Sequence, residues 1–170
     1  DPQQRSIWFE LGNAYSSISE FQEAIEAYEM AVKISSNWGL EDKWLDPYAE
    51  LGQAYHHIGD HQMENEIIER GLSFFPGANI LYQRNAVCAL IRGDTIQAKE
   101  DIASYADISR SQLFWTDAET DHRVAHMYAN AGLLEESEKI WRRTIASEPN
   151  SDYHKRCFAE FLITKEVNVG

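Results

Sequence analysis

The sequence predicts an all-α chain built from repeated helical units. The first sign is a pattern that returns. Trp8, Leu11, Gly12 and Tyr15 are followed by Ala24 and Tyr28, and a second copy runs as Tyr48, Leu51, Gly52 and Tyr55, closing at Pro76. Self-similarity at a period of about 34–40 residues marks a repeat architecture. The second sign is a small residue at one place in every copy: Gly12, Gly52, Ala86 and Ala125. Glycine inside a helix costs about 1 kcal/mol relative to alanine, so a neighbouring helix must come close enough to leave no room for a Cβ. The third is helical spacing of apolar residues after Pro149: Tyr153, Cys157, Phe158, Phe161 and Leu162, with Lys155, Arg156 and Glu160 opposite.

These motifs resemble the tetratricopeptide-repeat family over almost the whole chain, most closely in the first two copies. The wider spacing matches its longer-spaced repeat subtype. The resemblance implies a right-handed superhelical solenoid of helix-turn-helix repeats, each unit being two antiparallel helices. The units are placed at about 5–38, 45–78, 79–112 and 118–151, within one domain of residues 1–170. A capping helix at about 151–165, N-capped by Ser151, covers the last apolar face.

Within unit one, Ala24 and Ala31 are expected to face Gly12, with Trp8, Leu11, Tyr15 and Tyr28 filling the space around the crossing. Asp46-Pro47 reads as an N-cap followed by proline at the first helical position, starting unit two. Unit three departs from the family pattern. Gly93-Asp94 marks its turn and Ala98 its small site, but Asn85 stands for the usual leucine and Tyr105 for a small residue. Unit four keeps Ala125, Tyr128, Gly132 and Pro149, while Asp121 replaces the first aromatic. Extra residues fall near 39–44 and 113–117, and they bring Trp38, Trp44, Phe114 and Trp115. These aromatics are expected to plug the gap between adjacent second helices; the alternative is a partner surface.

The net charge is −13. Phosphate backbones require Lys and Arg along one face, so no nucleic-acid partner is expected. Anionic membranes are disfavoured too, and no apolar run approaches a membrane span. Glu20, Glu23, Glu26 and Glu29 read as a solvated convex face. Cys88 and Cys157 read as buried free thiols, which suits a cytoplasmic location and is compatible with a periplasmic one. A chain that opens on Asp1 is expected to be a piece of a longer protein or a processed product.

The chemistry-bearing candidates are few. His122 and His126 share a helix face, and His57 and His61 have the same spacing but straddle Gly59. Zinc needs further ligands, for which Glu119 or His56 is available. Without an HExxH or comparable motif, no metal, no cofactor and no catalytic residue is expected.

Recognition of another protein remains. The family resemblance places ligand contacts on the first helices, which line a concave groove. On this chain the matching positions include Phe9, Asn13, Gln53, His56, Ile80, Gln83, Arg84, Val87, His122 and His126. From Ile80 to Ile91 the helix is apolar on nearly every side, which predicts burial all round. The chaperone-binding subclass grips a C-terminal carboxylate with Lys, Asn, Asn, Lys and Arg. The positions here are Phe9, Asn13, Glu50, Ile80 and Arg84, so only Asn13 and Arg84 match. The expected activity is therefore non-catalytic binding of an extended peptide or helix of another protein. The alternative is a homo-oligomer that packs end to end through the first unit. A regulatory or metal-binding part of a larger enzyme is the third reading.

Overall fold

A computed structural model describes residues 3–169. Among the described residues there are nine α-helices, one 3-10 turn and no strand. They run α1 (Gln4–Ser17), α2 (Phe21–Asn37), the turn Glu41–Lys43, α3 (Asp46–His57), α4 (His61–Phe74) and α5 (Asn79–Arg92). Then come α6 (Thr95–Leu113), α7 (Asp117–Asn130), α8 (Leu134–Ser147) and α9 (Asp152–Val169). The chain divides into two compact units, Asp1–Cys88 and Ala89–Gly170, with the boundary inside α5.

Local chemistry sets the helix ends. Each turn inside a pair places one residue at positive φ: Ser19 in the first, Gly59, Gly93 and Gly132 in the rest. Asp60 and Asp94 then accept from the backbone N–H of Met63 and Gln97, both at 3.1 Å, and so cap α4 and α6. Thr116 and Glu119 form a reciprocal capping box at the start of α7. Ser151 Oγ accepts from the His154 N–H at 3.3 Å, as expected of a cap for α9. Asp46 behaves differently. It is already helical, Leu45 takes the N-cap place, and the Asp46 carboxylate accepts from Trp44 Nε1 at 3.1 Å. The indole competes successfully for the oxygen that would have capped the helix.

In the first unit, α1 packs on α2, α2 on α3, and α3 on α4. The partner of Gly12 is the ring of Tyr28, not Ala24 or Ala31: a Cβ on Gly12 would lie 2.5 Å from Tyr28 Cδ1 and Cε1. Gly52 meets Ile68 in the same way. A third close approach, at Gly71, was not legible as part of the pattern; its Cβ would meet Leu81 Cδ1 at 2.9 Å and Tyr48 Cβ at 3.0 Å. Leu51 is 2% exposed because α2 lies against α3, whereas Leu11 is 38% exposed. Leu11 therefore belongs to the surface of α1 and not to the crossing.

In the second unit, Ala125 and Ser137 supply the small contact between α7 and α8, and Ser137 Oγ donates to the Ala125 carbonyl at 2.8 Å. Asp121, standing where an aromatic was expected, accepts two hydrogen bonds from Arg143 at 2.7 and 2.8 Å and links the pair electrostatically. Trp141 is fully buried beneath Phe158 and Phe161 of α9. The last helix extends beyond residue 165, to Val169.

The insertion aromatics split. Trp44 packs on Phe9 with centroids 4.7 Å apart, and Trp115 meets Tyr105 at 6.3 Å. Trp38 and Phe114 are 56% and 85% exposed, so they plug nothing. Phe114 takes a left-handed backbone at the end of α6, which turns its side chain outward.

Candidate peptide-binding surfaces

The first unit carries most of the expected contact residues, in separate small groups. Phe9 lies against both Tyr28 and Trp44. The Tyr28 hydroxyl donates to Asn13 Oδ1 at 2.9 Å. Burial, then the charge of Glu50, pushes the Tyr28 phenol up to about 12, so it stays a neutral donor. From α5, Arg84 Nη2 donates to Gln53 Oε1 at 2.6 Å. Desolvation lowers the Arg84 pKa, while Glu50 and Glu64 favour its charge. Ile80 and Gln83 are half-buried beside them in sequence, and Val87 is buried. His56 turns to Glu64, which accepts from it at 3.1 Å. His57, its neighbour, stacks on Phe21 instead.

The second unit builds a smaller concavity between α7 and α9. Its volume is about 260 Å³, and its lining is Trp115, Glu119, His122, Arg123, Tyr153 and His154. Arg123 sits over the Trp115 ring, 5.8 Å from its centroid. Glu119 is held in the capping box by Thr116, so its carboxylate is directed at the helix start. His122 is stacked on Tyr153 and edge-on to Trp141. It is 4% exposed, and its Nδ1 has no hydrogen-bond partner. His126 is half-buried one turn along, also edge-on to Trp141. His154 Nδ1 stands 3.2 Å from Glu148 Oε2 without the alignment of a hydrogen bond.

Trp115, Tyr153 and His154 were absent from the expected contact set. Tyr153 and His154 were legible only by carrying the first-helix register past Pro149, which makes α9 a fifth first helix as well as a cap.

Burial, followed by the charges of His126, Arg123 and His154, holds the His122 imidazole down to about 4 from its ordinary 6.5. Between those values the unfolded chain binds a proton that the folded chain refuses. Stability is therefore complete above the ordinary value and falls as pH drops toward the folded one, by on the order of 2–3 kcal/mol. His126 is lowered by burial and acts in the same direction. His122→Gln is expected to remove the larger share of this loss. Urea unfolding at neutral and mildly acidic pH measures it. Parallel losses in wild type and variant would assign the acid sensitivity elsewhere.

Comparison with known proteins agrees with this architecture. The family model described as tetratricopeptide repeat matches residues 6–37, the α1/α2 pair. A crystal structure from Podosopora anserina, assigned as a kinesin light chain with nearly identical TPR-like repeats, is 18% identical, with a TM-score of 0.69. The alignment covers 97% of this chain and 88% of that one. A structure of MamA is 19% identical over 88% of this chain and 81% of that chain, with a TM-score of 0.62. Cut9, in the APC/C hetero-tetramer Cut9-Hcn1, is 18% identical at a TM-score of 0.61 over 98% of this chain and 31% of its own. A comparison with curated protein sequences finds no match. The first pair thus matches the tetratricopeptide-repeat model, and the chain as a whole shares the all-α helical-repeat fold of these structures.

Proposed function

We propose that this chain is a non-catalytic protein-interaction scaffold that takes an extended peptide or a helix of another protein. The contacts come from the α1/α3/α5 side of the first unit and from the α7/α9 concavity of the second. The observation that carries this reading is the α7/α9 concavity. It sets a cation, Arg123, and a buried unpartnered nitrogen, His122 Nδ1, between the aromatic walls of Trp115 and Tyr153. A peptide offers what such a site lacks: a carboxylate or backbone carbonyl for Arg123, a polar group for His122 and a side chain for the rings. In the first unit, Phe9 and Arg84 offer the same combination of apolar anchor and cation. Support from relatives is general. The Cut9 structure is of a hetero-tetramer with another protein. No helix among the described residues is long and apolar enough to cross a membrane.

A displayed peptide library panned against the chain tests the reading. Arg123→Ala is expected to weaken a selected peptide by about ten- to a hundredfold, since losing one charge-assisted contact costs on the order of 1.5–3 kcal/mol. Glu26→Lys, on exposed α2 surface, is expected to leave it unchanged. Binding that survives Arg123→Ala and Asn13→Ala but fails in Glu26→Lys would refute the assignment.

One observation favours self-association as a second reading. Ile7 and Leu11 are exposed one turn apart on α1, and Ile18 is exposed just past its end. A monomer mass at the highest soluble concentration removes it.

A further inference from the structure

The geometry points to a divalent-metal site, of zinc type, formed by His56, His61 and Glu64. It lies in the first unit and shares His56 with the expected peptide contacts, but it does not rest on the peptide reading. The turn between α3 and α4 makes it. His56 is in the last turn of α3, Gly59 reverses the chain at φ +75°, and His61 opens α4, with Glu64 one turn further. This brings His56 Nδ1 to 3.1 Å and His61 Nδ1 to 2.9 Å from the same oxygen, Glu64 Oε2. All three donor atoms lie within 4.8 Å of one another.

Two imidazoles and one carboxylate are a known zinc donor set, with the remaining position left to water. Around a tetrahedral zinc, nitrogen and oxygen ligands stand about 3.3 Å from each other, given bonds of about 2.0–2.1 Å. The observed nitrogen–oxygen separations are near that value before any ion is added. An ion would replace the two N–H···O contacts. Each imidazole would then carry its proton on Nε2 and turn the Nδ1 lone pair inward.

Access and donor type fit as well. The Glu64 side chain is 1% exposed, but those of His56 and His61 are 26% and 30% exposed, so an ion and its water reach the site from the histidine side. Arg84 acts electrostatically on Glu64 and offsets part of its charge. The donor set itself, two imidazoles and one carboxylate, disfavours calcium and magnesium, which need several oxygen ligands, and favours an ion held mainly by imidazole. Sequence reading had weighed His57 with His61. In the structure the neighbouring His56 faces the site, and His57 stacks on Phe21 with centroids 4.2 Å apart.

The test uses the full chain stripped with chelator, then titrated with zinc by calorimetry and with cobalt(II) by visible absorption. One equivalent is expected, with the strong absorption of a four-coordinate cobalt site and a higher melting temperature. His61→Ala and Glu64→Gln are each expected to weaken binding by about tenfold or more. His57→Gln is expected to bind as wild type does. His61→Ala keeps the test valid if Glu64→Gln fails to fold, because His61 is partly exposed. Absence of stoichiometric binding, unchanged affinity in His61→Ala, or an equal loss in His57→Gln would each overturn the site.

Discussion

Phe161→Ala is expected to cost about 3–4 kcal/mol of folding stability, the range for removing a buried phenylalanine. Phe161 is 8% exposed and forms one core cluster with Ala125 and Trp141. Its ring stacks on Phe158 with centroids 6.2 Å apart and lies 6.5 Å from that of Trp141. Truncation also removes Phe158, Cys157 and Leu162 from the same cluster. A chain ending at Asn150 is therefore expected to leave Trp141 open to water and to aggregate or melt earlier. The polar contacts of α9 carry little of this. Lys165 reaches Glu135 and Glu138 at 2.6 and 2.7 Å at the protein's edge, with Glu135 exposed and the other two half-buried. Such pairs at a water-facing edge contribute little to stability. Urea denaturation of Phe161→Ala beside Lys165→Ala separates the two contributions. Equal midpoints would deny α9 its capping role.

The fold was legible because its determinants are local and repeated. A glycine or alanine at one register position, with aromatics around it, states where two helices cross. The turns at Gly59, Gly93 and Gly132 state where the chain reverses. What was not legible depends on which neighbour a side chain chooses. Asp46 can cap a helix or accept from an indole, and only the position of Trp44 decides. Trp38 and Trp44 both flank one insertion, yet the first stays exposed while the second finds Phe9 and Arg5. Family register orders the concave residues along each helix but does not say how deep each one sits. Hence His122 and Phe9 received the same weight, although the first is almost wholly buried. Glu64 is not legible as a ligand because it sits on α4, a second helix, outside the first-helix register that marks ligand contacts. Its burial is intelligible only once His56 and His61 are seen to donate to it.

Gly12→Leu is expected to destabilise the first unit by about 1–3 kcal/mol, the usual range for overpacking a core. Even a methyl group has no room. A Cβ on Gly12 would stand 2.5 Å from Tyr28 Cδ1 and Cε1 and 2.9 Å from Cζ. The ring cannot give way easily, since it is 1% exposed, packed against Phe9 and bonded through its hydroxyl to Asn13. Gly12→Ala therefore sets two effects against each other. Helix propensity favours alanine by about 1 kcal/mol, and the clash with a fixed aromatic opposes it. At Gly52 the same substitution meets the end of an aliphatic chain, Ile68 Cδ1 at 2.5 Å and Cγ1 at 3.1 Å. A terminal methyl can rotate away, so Gly52→Ala is expected to cost less than Gly12→Ala. The decisive comparison is a double-mutant cycle. If the Tyr28 ring is what forbids the Cβ, Gly12→Ala turns neutral or stabilising on a Tyr28→Ala background, with a coupling of about 1 kcal/mol or more. Additive effects in that cycle, or an unchanged melt for Gly12→Leu, would mean that the glycine serves some purpose other than making room for Tyr28.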